Sequence, residues 1–166
     1  MKKLIFFLSL CYAVSACASA DVVEVIDGDS LKINGHSVRL KGIDAPEFDQ
    51  ICYDENDKAY SCGEDAKNYL QKMLNDGYKK GESVTCKKIA KDKYKRDLSV
   101  CYIGKREINR TLVQKGLAIS YKGKDYTKEQ KIAKKNKKGL WRGRFMRPEI
   151  YRSVRKYEQK QKKLTK

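Results

Sequence analysis

The chain opens, after an apolar leader, on a run of β-branched residues. Val22, Val23, Val25 and Ile26 read as a strand over residues 21–26 that enters the Asp27-Gly28 turn. Asn34-Gly35 is the strongest short-range signal for a two-residue hairpin turn, and strand-like residues flank it on both sides. Counting back from that turn sets Leu31 opposite Val38 and Ser30 opposite Arg39, so Arg39 lies beside Asp29. A three-strand meander results. Its last strand runs through Gly42 into Asp44-Ala45-Pro46-Glu47, where Pro46 restricts itself and Ala45 to extended or turn geometry.

The apolar period then changes. Residues 48–62 are polar and contain acids, which predicts a surface loop, whereas Ala66, Tyr69, Leu70, Met73 and Leu74 recur at helical spacing and predict a helix ending near Gly77. Residues 82–89 and 98–103 read as two further strands joined by the charged tract 90–96. A second helix is expected over 107–115, with Ile108, Leu112 and Val113 buried and Gly116 ending it. Residues 121–126 form a basic, aromatic loop, and a third, lysine-rich helix over 127–137 starts at a capping box of Thr127 and Gln130. Residues 151–166 make a basic tail without a convincing apolar stripe, expected to fray beyond one turn held by Ile150, Val154 and Tyr157. Strands first, one helix inserted after the third, and helices last predict an α+β fold: a five-stranded OB-type β-barrel with about three helices over residues 21–150.

Charge and the N-terminus add a compartment and a class of partner. The 166 residues carry a formal charge of +17, which predicts a polyanionic partner, either nucleic acid or an anionic membrane surface. Lys2 and Lys3, an apolar run over residues 4–14 and the small residues Ala18-Ser19-Ala20 read as an export signal over residues 1–20, too short to span a bilayer. Cleavage after Ala20 would give a periplasmic or extracellular protein. The same segment admits a second reading, because Val14-Ser15-Ala16-Cys17 looks like the lipobox of bacterial lipoproteins and would tether the chain through an acylated Cys17. Four cysteines remain beyond the signal, at positions 52, 62, 86 and 101. They allow three connectivities, of which Cys52–Cys62 with Cys86–Cys101 closes only local loops; the paired C-x-x-C spacings of a zinc site are absent.

Candidate chemistry concentrates in the first hairpin and the loop after it. Asp29, Asp44 and Glu47 are hard oxygen ligands or bases, and Arg39 is a planar cation whose fork fits phosphate. By themselves such residues equally describe a solvated face, and Asp92-Lys93-Tyr94-Lys95-Arg96 equally describes a charged hairpin tip. The lone histidine, His36, flanks a turn, which excludes catalytic mechanisms built on paired histidines.

The motifs in order say more. DGDS followed by VRLKGIDAPE resembles the signature of the thermonuclease family, calcium-dependent secreted nucleases related to the staphylococcal enzyme. DKYKR resembles the family's second signature, with Lys95 where the family has glycine. The resemblance continues through PEFDQIC, YSCG, the helix end at residues 112–116 and KKGLWRGRFMRPEIYR, and its cysteine-bearing elements look like the Gram-negative branch. It implies calcium held by Asp29, Asp44 and the carbonyl of Ala45, which stands where the type enzyme has threonine. It further implies Glu47 acting on the attacking water, Arg39 and Arg96 on the scissile phosphate, and Lys93, Tyr94 and Tyr121 facing phosphate or base. The implied substrates are DNA and RNA, cut to 3′-phosphate products by a monomer with no obligate protein partner. The rival reading is a non-catalytic OB-fold protein of the cell envelope that only binds nucleic acid.

Overall fold

A computed structural model describes residues 21–123 and 125–165, so the expected export signal, with Cys11 and Cys17, lies outside the described residues. Three antiparallel strands open the fold: β1 (Val23–Asp27), β2 (Ser30–Ile33) and β3 (His36–Leu40). Asn34 and Gly35 both take positive φ, 49° and 82°, the geometry that matches the twist of a two-residue hairpin. The register is the one counted from the sequence, with Leu31 opposite Val38 and Ser30 opposite Arg39.

After a short β4 (Ile43–Asp44), the tiny hairpin of β5 (Cys52–Tyr53) and β6 (Ala59–Tyr60) leads into α1 (Cys62–Tyr78). Next come β7 (Val84–Lys91), β8 (Asp97–Ile103) and β9 (Arg106–Glu107), then α2 (Ile108–Gln114) and β10 (Ile119–Ser120). The helix α3 (Thr127–Lys135), a 3-10 turn at Gly139–Arg142 and α4 (Pro148–Leu164) complete the chain. The main sheet runs β1-β2-β3-β8-β7, with β8 parallel to β3 and antiparallel to β7. The five expected strands are these five, and the α+β, OB-type architecture is the observed one.

The core forms where the inward residues of the sheet meet two helices. Val25, Leu31, Val38, Leu40 and Ile103 pack with Ala66, Leu70 and Leu74 of α1 and with Ile108, Leu112 and Val113 of α2. Asn109, also on α2, is fully buried and satisfied: its amide donates to the carbonyls of Lys41 and Ser99 at 2.9 and 3.1 Å and its oxygen accepts from Cys101 N at 3.1 Å. It thereby ties the end of β3 to β8.

The structure departs from expectation in three places. The segment 48–62 is not simply a surface loop, because the Cys52–Cys62 disulfide sits fully buried in a second small core with Ile119 and Leu140, flanked by Tyr60, Trp141 and Phe145. The start of α3 is not the expected reciprocal capping box: Tyr126 occupies the cap in a left-handed conformation, and the Gln130 side chain instead accepts from Ser120 N at 2.9 Å. The tail forms a fourth helix. Pro148 sits in its first turn, Glu149 follows, and Lys162 and Lys163 lie in the last turn, an order that suits the helix dipole. No apolar stripe signals α4, because its Ile150, Val154 and Tyr157 are exposed and its attachment to the body is polar: Tyr151 Oη donates to Asp49 O at 3.3 Å and Arg155 pairs with Asp49 at 2.8 Å.

Candidate active site

Gly28 and Gly63 allow the close approaches on which the site is built. A Cβ on Gly28 would lie 2.7 Å from Ala66 Cβ and 2.8 Å from Ala45 Cβ, so only glycine lets the β1–β2 turn seat Asp29 against α1 and the β4 loop. A Cβ on Gly63 would lie 1.8 Å from the carbonyl oxygen of Glu47 and 2.6 Å from that of Phe48. The first turn of α1 therefore fixes the Glu47 backbone. Gln50, fully buried, fixes it from the other side: its N–H donates to Glu47 O at 2.8 Å, its Oε1 accepts from Glu47 N at 3.4 Å, and its Nε2 donates to Met146 O at 2.7 Å.

The side chains those elements present form one ionic cluster. Arg39 spans two buried carboxylates, giving Nη1 to Asp29 Oδ1 and Nη2 to Asp44 Oδ1, the latter at 2.7 Å. Asp29 Oδ1 also accepts from Ser30 Oγ at 3.1 Å, and Asp29 Oδ2 accepts from the Ala45 N–H at 2.7 Å. Burial pushes the Asp29 carboxyl above its usual range, with the Arg39 charge and the Ala45 N–H pulling against it. Burial also opposes the charge on Arg39, but Asp29 and Asp44 outweigh it and hold the guanidinium firmly protonated.

A second guanidinium, Arg152 of α4, closes the cluster. Its Nη1 donates to Glu47 Oε1 at 2.7 Å and reaches Asp44 Oδ1 at 3.0 Å, while Nη2 donates to Asp44 Oδ2 at 3.1 Å. Burial works against its charge as well, and Asp44 and Glu47 outweigh it. Three carboxylates thus face two guanidiniums. Oδ2 of Asp29 and Oδ2 of Asp44 each accept one hydrogen bond among the described residues, so each retains a lone pair for a cation. No three His, Cys, Asp or Glu side chains among the described residues converge as a ready-made metal cage.

The other expected residues lie apart from this cluster. Lys93, Tyr94 and Arg96 sit in the turn between β7 and β8, where Asp92 organises the chain: Oδ1 accepts from the backbone N–H of Tyr94 and Arg96 at 2.8 and 3.0 Å, and Oδ2 from Arg96 Nε at 2.8 Å. Burial is the largest single influence on the Asp92 carboxyl and raises it, but those hydrogen bonds together with the Arg96 charge outweigh it and hold the carboxyl below its usual range. Lys95 takes the turn's left-handed conformation at φ 65°, where the family pattern has glycine. Tyr94 is exposed, with Lys93 Nζ and the Arg96 guanidinium 5.1 and 5.6 Å from its ring centre. This turn adjoins the cluster through the sheet, because β8 starts at Asp97 and sets Leu98 opposite Arg39. Tyr121 is anchored by its N–H to Gly42 O at 2.9 Å, next to β4. No hydrogen bond or ion pair among the described residues joins Lys93, Tyr94, Arg96 or Tyr121 to the carboxylates. His36 is exposed at the hairpin turn.

Both expected disulfides are present, Cys52–Cys62 and Cys86–Cys101, the second joining directly opposed residues of β7 and β8. Arg152 and Gln50 are the residues that sequence reasoning missed. The only trace of Arg152 in the sequence is that Tyr151, Arg152 and Arg155 would share one face of a helix begun by Pro148, a polar face that apolar periodicity does not detect, and Gln50 has no local signal.

Comparison with known proteins gives the same picture from another direction. The family described as Staphylococcal nuclease homologue matches residues 37–143, which include Arg39, Asp44, Glu47 and Arg96 but neither Asp29 nor Arg152. An uncharacterized endonuclease of Haemophilus influenzae is 32% identical over 154 residues, covering 84% of this chain and 78% of that protein. The thermonuclease of Staphylococcus hyicus is 29% identical over 131 residues, 72% of this chain and 73% of that one. A succinoglycan biosynthesis protein, ExoI, of Rhizobium meliloti is 33% identical over 122 residues; the match covers 71% of this chain but only 62% of that relative's length.

Proposed function

The chain belongs to the staphylococcal nuclease family, and from that premise we propose that it is a calcium-dependent, sugar-non-specific endonuclease, hydrolysing DNA and RNA phosphodiester bonds to 3′-phosphate ends. The observation that carries the reading is the cluster itself: Asp29 and Asp44 bridged by Arg39, with Glu47 three residues beyond Asp44 on a braced loop. The names of the endonuclease and thermonuclease relatives support it.

Asp29, Asp44 and the Ala45 carbonyl would hold calcium, which suits an all-oxygen donor set completed by water. When bound, the ion supplies Lewis-acid polarisation of a phosphoryl oxygen. Glu47, partly exposed at the rim, orients the attacking water and accepts its proton. Arg39 and Arg96 meet the non-bridging phosphate oxygens and stabilise the charge that grows in the five-coordinate transition state. Neither gives up a proton, since a guanidinium stays charged to above about pH 12, so water protonates the leaving 5′ oxygen. Lys93, Tyr94 and Tyr121 bind the flanking chain, the tyrosines by hydrogen bonds to phosphate or by stacking on bases, which favours single-stranded or unwound substrate.

Export is part of the proposal. The leader over residues 1–20 supports it, and so do two disulfides, which persist in oxidising compartments. Cleavage after Ala20 places the protein in the periplasm or outside the cell; acylation of Cys17 is the alternative, decided by mass spectrometry of the mature N-terminus.

The test is purified protein on single- and double-stranded DNA and on RNA, with calcium or with chelator, followed by end-group analysis. Cleavage of both nucleic acids to 3′-phosphate ends, abolished by chelator, is expected. Activity indifferent to chelator overturns the calcium assignment, and binding without cleavage returns the protein to the nucleic-acid-binding class.

A further inference from the structure

The helix α4 lies where it does for polar reasons. Its apolar residues Ile150, Val154 and Tyr157 are exposed, while Tyr151, Arg152 and Arg155 turn toward the loop that carries Asp44, Glu47 and Asp49. Two of these contacts concern only the helix's own attachment: Tyr151 Oη to Asp49 O at 3.3 Å, and Arg155 to Asp49 at 2.8 Å. Gln50 adds a third at the approach to the helix, through Met146 O at 2.7 Å. Arg152 differs, because its partners are the Glu47 carboxylate at 2.7 Å and both oxygens of Asp44 at 3.0 and 3.1 Å.

Control over Glu47 is divided between two parts of the fold. Its backbone is set by Gly63 of α1 and by Gln50, whose contacts are with the Glu47 backbone O and N. The carboxylate accepts its one hydrogen bond among the described residues from Arg152. A glutamate has several rotatable bonds between backbone and carboxylate, so fixing the first does not fix the second.

Resting on the nuclease reading above, we propose that Arg152 is a positioning residue for the reaction: it fixes the Glu47 carboxylate beside Asp44, and α4 is the arm that delivers it. A guanidinium suits this task because its planar fork engages two carboxylates at fixed angles, whereas an ammonium acts as a point charge. A proton acceptor displaced by about 1 Å loses roughly 10²-fold in rate, and that sets the size of the expected effect.

The experiment compares steady-state kinetics of the full chain on single-stranded DNA with calcium for wild type, Arg152→Gln, Arg152→Lys, Arg155→Gln, Glu47→Gln and the Glu47→Gln/Arg152→Gln double variant. Arg152→Gln is expected to lower kcat by roughly 10- to 100-fold with KM changed less than about 3-fold, and Arg152→Lys to recover part of the loss. Arg155→Gln, which loosens α4 at Asp49 without touching Glu47, should keep kcat near wild type. In the Glu47→Gln background the Arg152 substitution should add less than about 2-fold, since it has no proton acceptor left to position. Equal effects of Arg152→Gln in the two backgrounds, or equal losses for Arg152→Gln and Arg155→Gln, overturn the proposal and reduce Arg152 to a tether for the helix. A wild-type protein that binds every substrate and cleaves none overturns the nuclease reading instead, a result separable from either of those.

Discussion

Replacing Arg39 by glutamine isolates the electrostatics of the cluster from its chemistry. Asp29 has only 1% of its side chain exposed and loses its one guanidinium, keeping hydrogen bonds from Ser30 Oγ and Ala45 N; Asp44 retains Arg152. Breaking a buried ion pair from one side costs about 3–5 kcal/mol, because the remaining charge is left without compensation. Only one of the two carboxylates is stranded here, and burial already raises its pKa so that it can take a proton in place of the lost guanidinium, so the lower end of that range, about 3 kcal/mol, is the most that is expected. For a domain of this size that corresponds to a melting temperature lower by roughly 10 °C. The assay is urea unfolding with divalent cations chelated, reading the midpoint and checking that the slope stays constant. Adding Asp29→Asn to Arg39→Gln should restore at least about 1 kcal/mol, since it removes the orphaned charge. An Arg39→Gln loss below about 1 kcal/mol, or an Asp29→Asn substitution whose cost simply adds to it, would refute the claim that Arg39 is what makes the two buried carboxylates tolerable.

Three other perturbations follow from the same geometry. Gly63→Ala places a methyl group 1.8 Å from the Glu47 carbonyl oxygen, so the loop must shift; a stability loss of about 1–3 kcal/mol by thermal melt is expected, with a larger proportional loss of nuclease activity. Replacing Cys86 and Cys101 together by serine removes a link across a sequence separation of 15 and should cost about 3 kcal/mol by denaturant titration, with the active-site residues undisturbed. Tyr94→Ala removes an exposed ring at the β7–β8 turn and should raise KM on single-stranded DNA by roughly 10-fold with kcat nearly constant, in line with about 1–3 kcal/mol for base stacking.

Much of the fold was legible because its determinants are local. The Asn34-Gly35 turn fixes the β2–β3 register without help from the rest of the chain, and that register alone placed Arg39 beside Asp29. The pairing of Cys86 with Cys101 followed from a hairpin whose two strands the apolar pattern already showed. The helix α4 was not legible, since apolar periodicity finds helices that dock by burial and this one docks through Tyr151, Arg152 and Arg155. The same blindness hid Gln50, a polar residue whose burial arises from contacts with both Glu47 and Met146, 96 residues away in sequence from the latter. Gln130 shows the reverse error: its local capping pattern was real in sequence, but Ser120 N offered a tertiary partner and took the side chain. Residues paired within one hairpin could be read directly, whereas those whose partners come from a distant element could not.

The central claim is that the cluster of Asp29, Arg39, Asp44 and Glu47 performs phosphodiester hydrolysis, and single-turnover cleavage by Glu47→Gln tests it most directly. With saturating calcium and single-stranded DNA, the variant should bind substrate as wild type does and cleave it about 10²- to 10⁴-fold more slowly, the range for removing a positioned proton acceptor. A Glu47→Gln protein that cleaves at the wild-type rate would contradict the account, because the chemistry would then lie elsewhere on the molecule.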